Sequence, residues 1–287
     1  MTDWTILPRP DARRDLLGEG VMYSARENAL YWVDILGQRL NRLALADGAC
    51  AEWAMPDMIG WVIERAAAPG FIAGLRSGFH TLTLDPVVLA PIGDPEPDLP
   101  GNRLNDALAD AHGRIWAGTM SMDGSRDHGA LYRLDPDLTW HKADASYRIA
   151  NGPALSPDGR WMYHADSPRR VIYRFGIDAA GNLGPRETFV QFADAWGVPD
   201  GMTTDARGGL WVAHWGGGCV SRFTPDGQRE RWIDLPASQI TRPCFGGAQL
   251  DRLFVTSAAD GVDEPLAGCL FEVDPGVRGW PAHRFGG

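Results

Sequence analysis

The chain has 287 residues, of which 44% are hydrophobic, so it is long enough to bury a sizeable core. Its formal net charge is −10 and its Lys and Arg residues are scattered, which excludes the basic clusters of a nucleic-acid-binding protein or a polybasic membrane anchor. Because the chain also lacks a signal-peptide core, a long apolar span and any CxxC pair, we expect a cytoplasmic protein without zinc ribbons or disulfides.

Six short apolar segments recur along the chain and predict equivalent strands. In chain order they are ALYWVD (29–34), GFIAG (70–74), RIWAG (114–118), WMYHA (161–165), LWVAH (210–214) and LFVTS (253–257). Their central residues are Tyr31, Ile72, Trp116, Tyr163, Trp211 and Phe254, which are 41, 44, 47, 48 and 43 positions apart. This spacing indicates one structural unit that is repeated six times.

The sequences around these segments are typical of short strands joined by tight turns. Turns such as SPDG, DAHG and DARG precede the aromatic strands, and the chain contains 35 Gly and 21 Pro but no convincing amphipathic helix. Four-stranded units of this size bury both faces when they are arranged radially around an axis. The sequence therefore predicts an all-β protein, a six-bladed β-propeller with a central metal site that forms a single domain over residues 1–287. The alternative is a β-sandwich in which the spacing is a coincidence.

Polar residues recur at one position of this repeat. Counting back 11 or 12 positions from each aromatic strand reaches the start of the predicted innermost strand, where the residues are Glu19, Gly60, Asn105, Asn151, Asp200 and Pro243. Equivalent positions of a propeller point toward one axis, and four of these six residues are carboxylates or amides. The alternative for the Asn-Gly and Asp-Gly pairs is that they are ordinary turn residues.

Two carboxylates beside one axis repel each other unless a positive charge compensates them. We therefore predict that Glu19, Asn151 and Asp200 bind one divalent cation through oxygen atoms. Such a set of ligands suits Ca²⁺, Mg²⁺ or Mn²⁺, and Fe²⁺ and Zn²⁺ also accept oxygen ligands.

Several motifs that lie in order along nearly the whole chain resemble one known family. They are LGEG (17–20), RLND (103–106), WAGTM (116–120), NGPALSPDG (151–159), PDGMTTDARGGLWVAHWGGG (199–218) and RPCFGG (242–247). On these motifs the chain is similar to the senescence marker protein/gluconolactonase/regucalcin family. The resemblance implies a six-bladed propeller with one divalent cation in its channel, and many members of the family hydrolyse sugar lactones.

The resemblance also implies roles for single residues. Glu19, Asn151 and Asp200 match the family's metal ligands, whereas Arg103 and Asn105 match positions that contact the substrate. The register of the repeat indicates all of these except Arg103, which the resemblance alone supplies.

The chain departs from the family pattern beside the predicted site. Many relatives carry an acidic residue after the GTM motif, but here Ser121 and Met122 follow and the acidic residue is Asp123. We predict Asp123 and Trp215 as further substrate contacts. His214 stands where an apolar residue is usual, and we leave open whether it is a core histidine or a partner of the site.

These predictions combine into one function, the metal-dependent hydrolysis of a sugar lactone to its aldonic acid. In this interpretation the cation polarises the lactone carbonyl and Asp200 acts as the general base. The substrate is expected to be a small molecule such as xylono-, arabinono- or gluconolactone, with no nucleic-acid or membrane partner, and the protein a monomer or weak dimer. The alternatives are a propeller esterase that acts on organophosphates or other lactones, and a non-catalytic calcium-binding or interaction propeller.

Overall fold

The structure is a computed structural model that describes residues 4–9 and 13–287. Within those residues it has 24 strands and a single 3₁₀ helix of three residues, Asp194–Trp196. In this described part of the chain, no helix is long and apolar enough to cross a bilayer. The strands are β1 Trp4–Ile6, β2 Gly18–Ser24, β3 Ala29–Asp34, β4 Arg39–Ala44, β5 Cys50–Ala54, β6 Ile59–Glu64, β7 Phe71–Leu75, β8 Gly78–Thr83, β9 Val88–Gly93, β10 Asn102–Ala109, β11 Ile115–Ser121, β12 Gly129–Leu134, β13 Trp140–Tyr147, β14 Ala150–Leu155, β15 Trp161–Asp166, β16 Val171–Gly176, β17 Glu187–Gln191, β18 Val198–Thr204, β19 Leu210–Trp215, β20 Cys219–Phe223, β21 Arg229–Asp234, β22 Ile240–Gly246, β23 Arg252–Ser257 and β24 Phe271–Val273.

These strands form six antiparallel sheets of four strands each. Blades 1 to 5 take their strands in chain order, as β2 to β5, β6 to β9, β10 to β13, β14 to β17 and β18 to β21, and blade 6 contains β22, β23, β24 and β1. The first strand of every blade contacts the first strands of the two neighbouring blades, so that β2, β6, β10, β14, β18 and β22 form a closed ring. The predicted six-bladed β-propeller is confirmed, and the β-sandwich alternative is wrong.

Blade 6 is completed by the first strand of the chain, β1. The N-terminal strand β1 is its outermost strand and pairs with β24, with Trp4 opposite Val273 and Ile6 opposite Phe271. This pairing covers an edge that would otherwise expose unpaired backbone groups. This pairing was not predictable from the sequence, because β1 is only three residues long and lies outside the repeat.

The aromatic residues of the repeat lie in the cores between blades. Trp116 and Trp211 are fully buried on the second strands of blades 3 and 5. Each indole N–H donates to the carboxylate of the preceding turn, Trp116 to Asp110 and Trp211 to Asp205, at 2.9 Å in both cases. The DAHG and DARG turns are thus tied to their strands by a buried hydrogen bond.

Candidate active site

The four polar residues of the register lie near the starts of inner strands β2, β10, β14 and β18. Glu19, Asn105, Asn151 and Asp200 are buried, with exposed fractions of 5 to 8%. Such burial is costly for carboxylates and amides unless they are paired with other polar groups or an ion. The inner ends of four different blades therefore present polar side chains to one region of the channel.

Each of the three predicted metal ligands lies beside or within a β-bulge. The pairing register of the inner strand shifts between Glu19 and Met22, between Asn151 and Ala154, and between Pro199 and Met202. A bulge bends its strand and redirects the side chains beside it. The Asn-Gly and Asp-Gly pairs are therefore parts of inner strands and not the turns of the alternative interpretation.

The residue after each ligand is a glycine, either because its backbone has a positive φ angle or because a Cβ atom there would clash with a neighbouring strand. Gly20 and Gly152 have positive φ angles of 59° and 73°, which glycine adopts without strain. A Cβ atom on Gly201 would lie 2.8 Å from Cβ of Arg242, closer than two carbon atoms can approach. The repeated acid-Gly or amide-Gly dipeptide thus lets neighbouring inner strands pack tightly around the axis.

A chain of hydrogen bonds joins blades 3, 4 and 5 through their side chains. Arg103 Nη1 donates to Asn105 Oδ1 at 2.6 Å, and Asn105 Nδ2 donates to Asn151 Oδ1 at 2.8 Å. Asn151 Nδ2 donates to Ser167 Oγ at 2.8 Å, and that hydroxyl donates to the carbonyl oxygen of Pro199 at 2.7 Å. Because the Ser167 hydroxyl uses its proton on Pro199, it accepts from Asn151, and this fixes which end of the Asn151 amide is the oxygen.

Burial disfavours the charged form of both carboxylates of the site, Glu19 and Asp200. Burial raises the pKa of Asp200 well above its usual range, and the charge of Glu19 raises it further. Burial also raises the pKa of Glu19, while the N–H of Gly20, at 2.9 Å, and the charges of Arg242 and Arg103 oppose the shift. Among residues 4–9 and 13–287, neither carboxylate forms an ion pair within hydrogen-bonding distance.

Arg103 is buried beside these carboxylates. Burial lowers the pKa of its guanidinium to about 10, although the charges of Glu19 and Asp200 oppose the shift. Nη1 bonds to Asn105 and to the carbonyl oxygen of Leu104 at 3.1 Å, and within the described ranges it is the only hydrogen-bonded nitrogen of this side chain. The other guanidinium nitrogens are left as donors for a bound molecule.

The donor set fits a hard divalent cation. Glu19 and Asp200 supply two carboxylates that lack a balancing contact, and Asn151 supplies a neutral oxygen whose orientation is fixed. Oxygen atoms from carboxylates and amides are the ligands of Ca²⁺ and Mg²⁺ in proteins. The described residues contain no group of three or more His, Cys, Asp and Glu side chains that could hold a metal, so a site here depends on the amide.

The other predicted contacts lie at different depths. The Asp123 carboxylate accepts hydrogen bonds from Ser125 N and Ser121 Oγ, both at 3.0 Å, and these lower its pKa to about 2. The Asp123 carboxylate therefore stabilises the loop in which it lies by bonding to residues of that loop. The neighbouring side chain of Met122 is exposed. Trp215 is half-buried at the end of β19, opposite Val198 at the start of β18, and so lies at the Asp200 end of its blade.

His214 belongs to the core between blades 4 and 5. It is fully buried, its Nδ1 is 2.8 Å from the carbonyl oxygen of Trp196, and its ring centre is 4.7 Å from that of Phe192. Burial lowers its pKa to about 4, so the imidazole is neutral at physiological pH. The indole of Trp196 packs against Phe192 and Phe223 in the same core. The structure places His214 in the core, although its Nε2 has no hydrogen-bond partner among the described residues.

Two charged residues of the channel were missed in the sequence analysis. Arg242 of β22 forms an ion pair with Asp106 of β10, and both side chains are largely buried. Asp106 directly follows Asn105, and Arg242 directly precedes the register position Pro243. The available signal was a basic residue inside the RPCFGG motif, one position away from the polar register.

A cavity of about 760 Å³ continues the channel beyond the ion pair. Its walls are mostly apolar and include Leu108, Leu155 and Met202 from the later parts of the inner strands. The C-terminal segment crosses its far end, where Trp280 Nε1 donates to Thr204 Oγ1 at 2.8 Å and Phe285 is fully buried. The polar site and this cavity therefore lie at opposite ends of the channel.

Sequence and structure comparisons cover nearly the whole chain. Residues 17–259 match the protein family described as the SMP-30/Gluconolactonase/LRE-like region. The chain is 36% identical over 279 residues to 6-deoxy-6-sulfogluconolactonase of Pseudomonas putida, covering 95% of this chain and 96% of that protein. It is 35% identical to pentonolactonase XacC of Haloferax volcanii, with 93% and 94% covered. The crystal structure of the calcium-binding protein regucalcin from Agrobacterium tumefaciens matches with a TM-score of 0.90 at 30% identity, covering 96% of this chain and 95% of that one.

Proposed function

The chain belongs to the SMP-30/gluconolactonase/LRE-like family, and we propose that it is a divalent-cation-dependent hydrolase that opens a sugar lactone to its aldonic acid. The observation that carries the proposal is the cluster of Glu19, Asn151 and Asp200 beside a guanidinium with free donors. Two of the similar proteins are named as lactonases, one a 6-deoxy-6-sulfogluconolactonase and the other a pentonolactonase. One similar structure is that of a calcium-binding protein, which supports a divalent cation.

The chain's own residues supply three parts of the reaction. Asp200 accepts a proton from the attacking water with its buried carboxylate, which lies on the inner strand of blade 5. Arg103 and Asn105 bind and orient the hydroxyl groups of the sugar. A cation held by Glu19, Asn151 and Asp200 would supply a Lewis acid for the lactone carbonyl. The water oxygen forms a bond to the lactone carbonyl carbon, the ring C–O bond breaks, and the proton taken from water goes to the departing ring oxygen.

The buried polar cluster also separates this proposal from a non-catalytic propeller. A propeller that only binds other proteins can fill its channel with apolar side chains and use its rim. Within the described residues, the channel instead holds two buried carboxylates that form no ion pair, beside the guanidinium of Arg103, an arrangement that is costly to bury and typical of a site for a ligand.

A panel of substrates tests the reaction class. Acid release is followed with a pH indicator for glucono-, xylono- and arabinonolactone and for an aryl phosphotriester, using protein supplied with Ca²⁺ or Mn²⁺ and corrected for spontaneous opening. We expect hydrolysis of at least one sugar lactone well above the spontaneous rate. Hydrolysis of the phosphotriester alone would assign the protein to the rival class of propeller esterases, and no hydrolysis at all would contradict the proposal.

Replacing Arg103 separates substrate binding from cation binding. Arg103→Met removes the charged donors but keeps a side chain of similar length, so we expect KM to rise about 10- to 100-fold, the range of a charge-assisted hydrogen bond. We expect kcat to change less, and calorimetry should still detect the cation. Loss of cation binding in this variant would show that Arg103 supports the ligands instead of the substrate.

A further inference from the structure

Arg242 crosses the channel directly behind the proposed cation ligands. It lies on the inner strand of blade 6, and its Nη2 donates to the carbonyl oxygen of Ala107 on blade 3 at 3.1 Å. Blades 3 and 6 stand opposite each other in a ring of six, so this side chain reaches from one wall of the channel to the other. Its Cβ and Cγ atoms pack against Gly201, next to Asp200.

The position of Arg242 relative to the ligands follows from the lining of the large cavity. Arg242 lines that cavity together with Gly20, Ala107 and Met202, each of which follows a residue of the polar cluster by one or two positions. The guanidinium therefore lies between the ligands and the cavity. It separates the polar end of the channel from the apolar end.

The partner of Arg242 connects it to the ligand Asn151. Besides the ion pair with Arg242, the Asp106 carboxylate accepts hydrogen bonds from Ala107 N at 2.7 Å and from Gly152 N at 3.0 Å. Gly152 directly follows Asn151 at the bulge of β14. Asp106 thus links the guanidinium of Arg242 to the backbone beside the ligand Asn151.

We propose that Arg242 is a fixed counter-charge of the cation site: it offsets the negative charge of Glu19 when no ion is bound and thereby weakens the binding of a divalent cation. The inference rests on the proposed function, because it presupposes a cation between Glu19, Asn151 and Asp200. The charge of Arg242 acts on Glu19 and opposes the rise in the pKa of that carboxylate, which agrees with a short separation. A unit charge a few ångströms from a divalent ion changes its binding by about 10-fold or more, even at the moderate effective dielectric of a protein interior.

The test is a set of calorimetric titrations with Ca²⁺ and Mn²⁺. We expect Arg242→Gln to bind the cation about 10-fold or more tightly than the unaltered protein, and Asp106→Asn, which leaves Arg242 uncompensated, to bind it more weakly. Arg242→Lys keeps the charge and should stay near the unaltered affinity. Arg252→Gln is the matched control, because it removes a guanidinium from an outer ion pair with Glu272 in the same blade and should not change the affinity.

A purely structural role predicts a different pattern. If Arg242 only held the fold together, Arg242→Gln and Asp106→Asn would both weaken cation binding, and that result would overturn the proposal. If Arg242→Gln does not fold, the other two variants still decide: we expect weaker cation binding in Asp106→Asn and near-native binding in Arg242→Lys. Unchanged affinity in Asp106→Asn, or clearly weakened binding in Arg242→Lys, would overturn the proposal. Absence of cation binding in the unaltered protein would overturn the proposed cation site as well, whereas binding without the predicted shifts would overturn only the role of Arg242.

Discussion

Asp200→Asn is expected to lower kcat by about 1,000-fold or more, within or above the usual contribution of a general base. The substitution keeps the shape of the side chain but removes its negative charge and its ability to take a proton. It also removes one of the two carboxylates that face the proposed cation, so the affinity for the cation should fall in the same variant. Steady-state kinetics on the preferred lactone, combined with calorimetry, measure both effects.

The control for this variant is Asp158→Asn. Asp158 lies in an exposed turn of blade 4, where its carboxylate bonds to Ser156 and Arg160 beyond the end of β14 that is opposite Asn151. The Asp158→Asn substitution makes the same change of charge and shape, and the kcat of this variant should equal that of the unaltered protein. Near-native kcat in Asp200→Asn would show that both the base and the ligand assignments of Asp200 are wrong.

Glu19→Gln is expected to weaken cation binding by more than about 100-fold. Loss of a hydrogen-bonding partner behind a metal ligand commonly costs 10- to 100-fold in affinity, and loss of a carboxylate that faces the ion directly should exceed this range. The amide oxygen of Gln can still accept the hydrogen bond from Gly20 N, so the local backbone should be preserved.

Thermal unfolding of the ion-free protein distinguishes this effect from misfolding. In the unaltered protein the charge of Glu19 raises the pKa of Asp200, which means that the two buried carboxylates repel each other. Removing one charge relieves that repulsion, so the ion-free Glu19→Gln protein should melt at the same temperature as the unaltered protein or higher. A lower melting temperature together with unchanged cation affinity would contradict the assignment of Glu19 as a ligand.

The fold was predictable because the sequence repeats its pattern six times. Each blade needs an apolar second strand, and the spacing between residues such as Trp116 and Trp211 follows directly from the length of one blade. The closing strand β1 was not predictable in this way, since only three residues pair with β24 and their sequence carries no repeat signal. Pairing of β1 with β24 depends on how close these two strands lie in the folded ring, and the periodicity of the sequence does not predict that distance.

The candidate site was predictable only where it follows the repeat. Asn105 and Asn151 occupy equivalent register positions, and the structure places them 2.8 Å apart at their amide groups. Ser167, Asp106 and Arg242 lie outside the counted position, and their contacts include pairs far apart in the chain, such as Asn151 with Ser167, 16 positions apart, and Ala107 with Arg242, 135 positions apart. Such contacts depend on side chains that cross between blades, which one-dimensional spacing cannot show.

The most direct test of the proposed function is removal and replacement of the cation. The protein is stripped with a chelator, and acid release from glucono-, xylono- and arabinonolactone is followed before and after adding Ca²⁺, Mg²⁺, Mn²⁺, Fe²⁺ or Zn²⁺ singly, with correction for spontaneous and metal-catalysed opening. We expect lactone hydrolysis to disappear on stripping and to return with at least one of these ions. Full activity in protein verified to be free of metal, or no activity with any ion, would contradict the account.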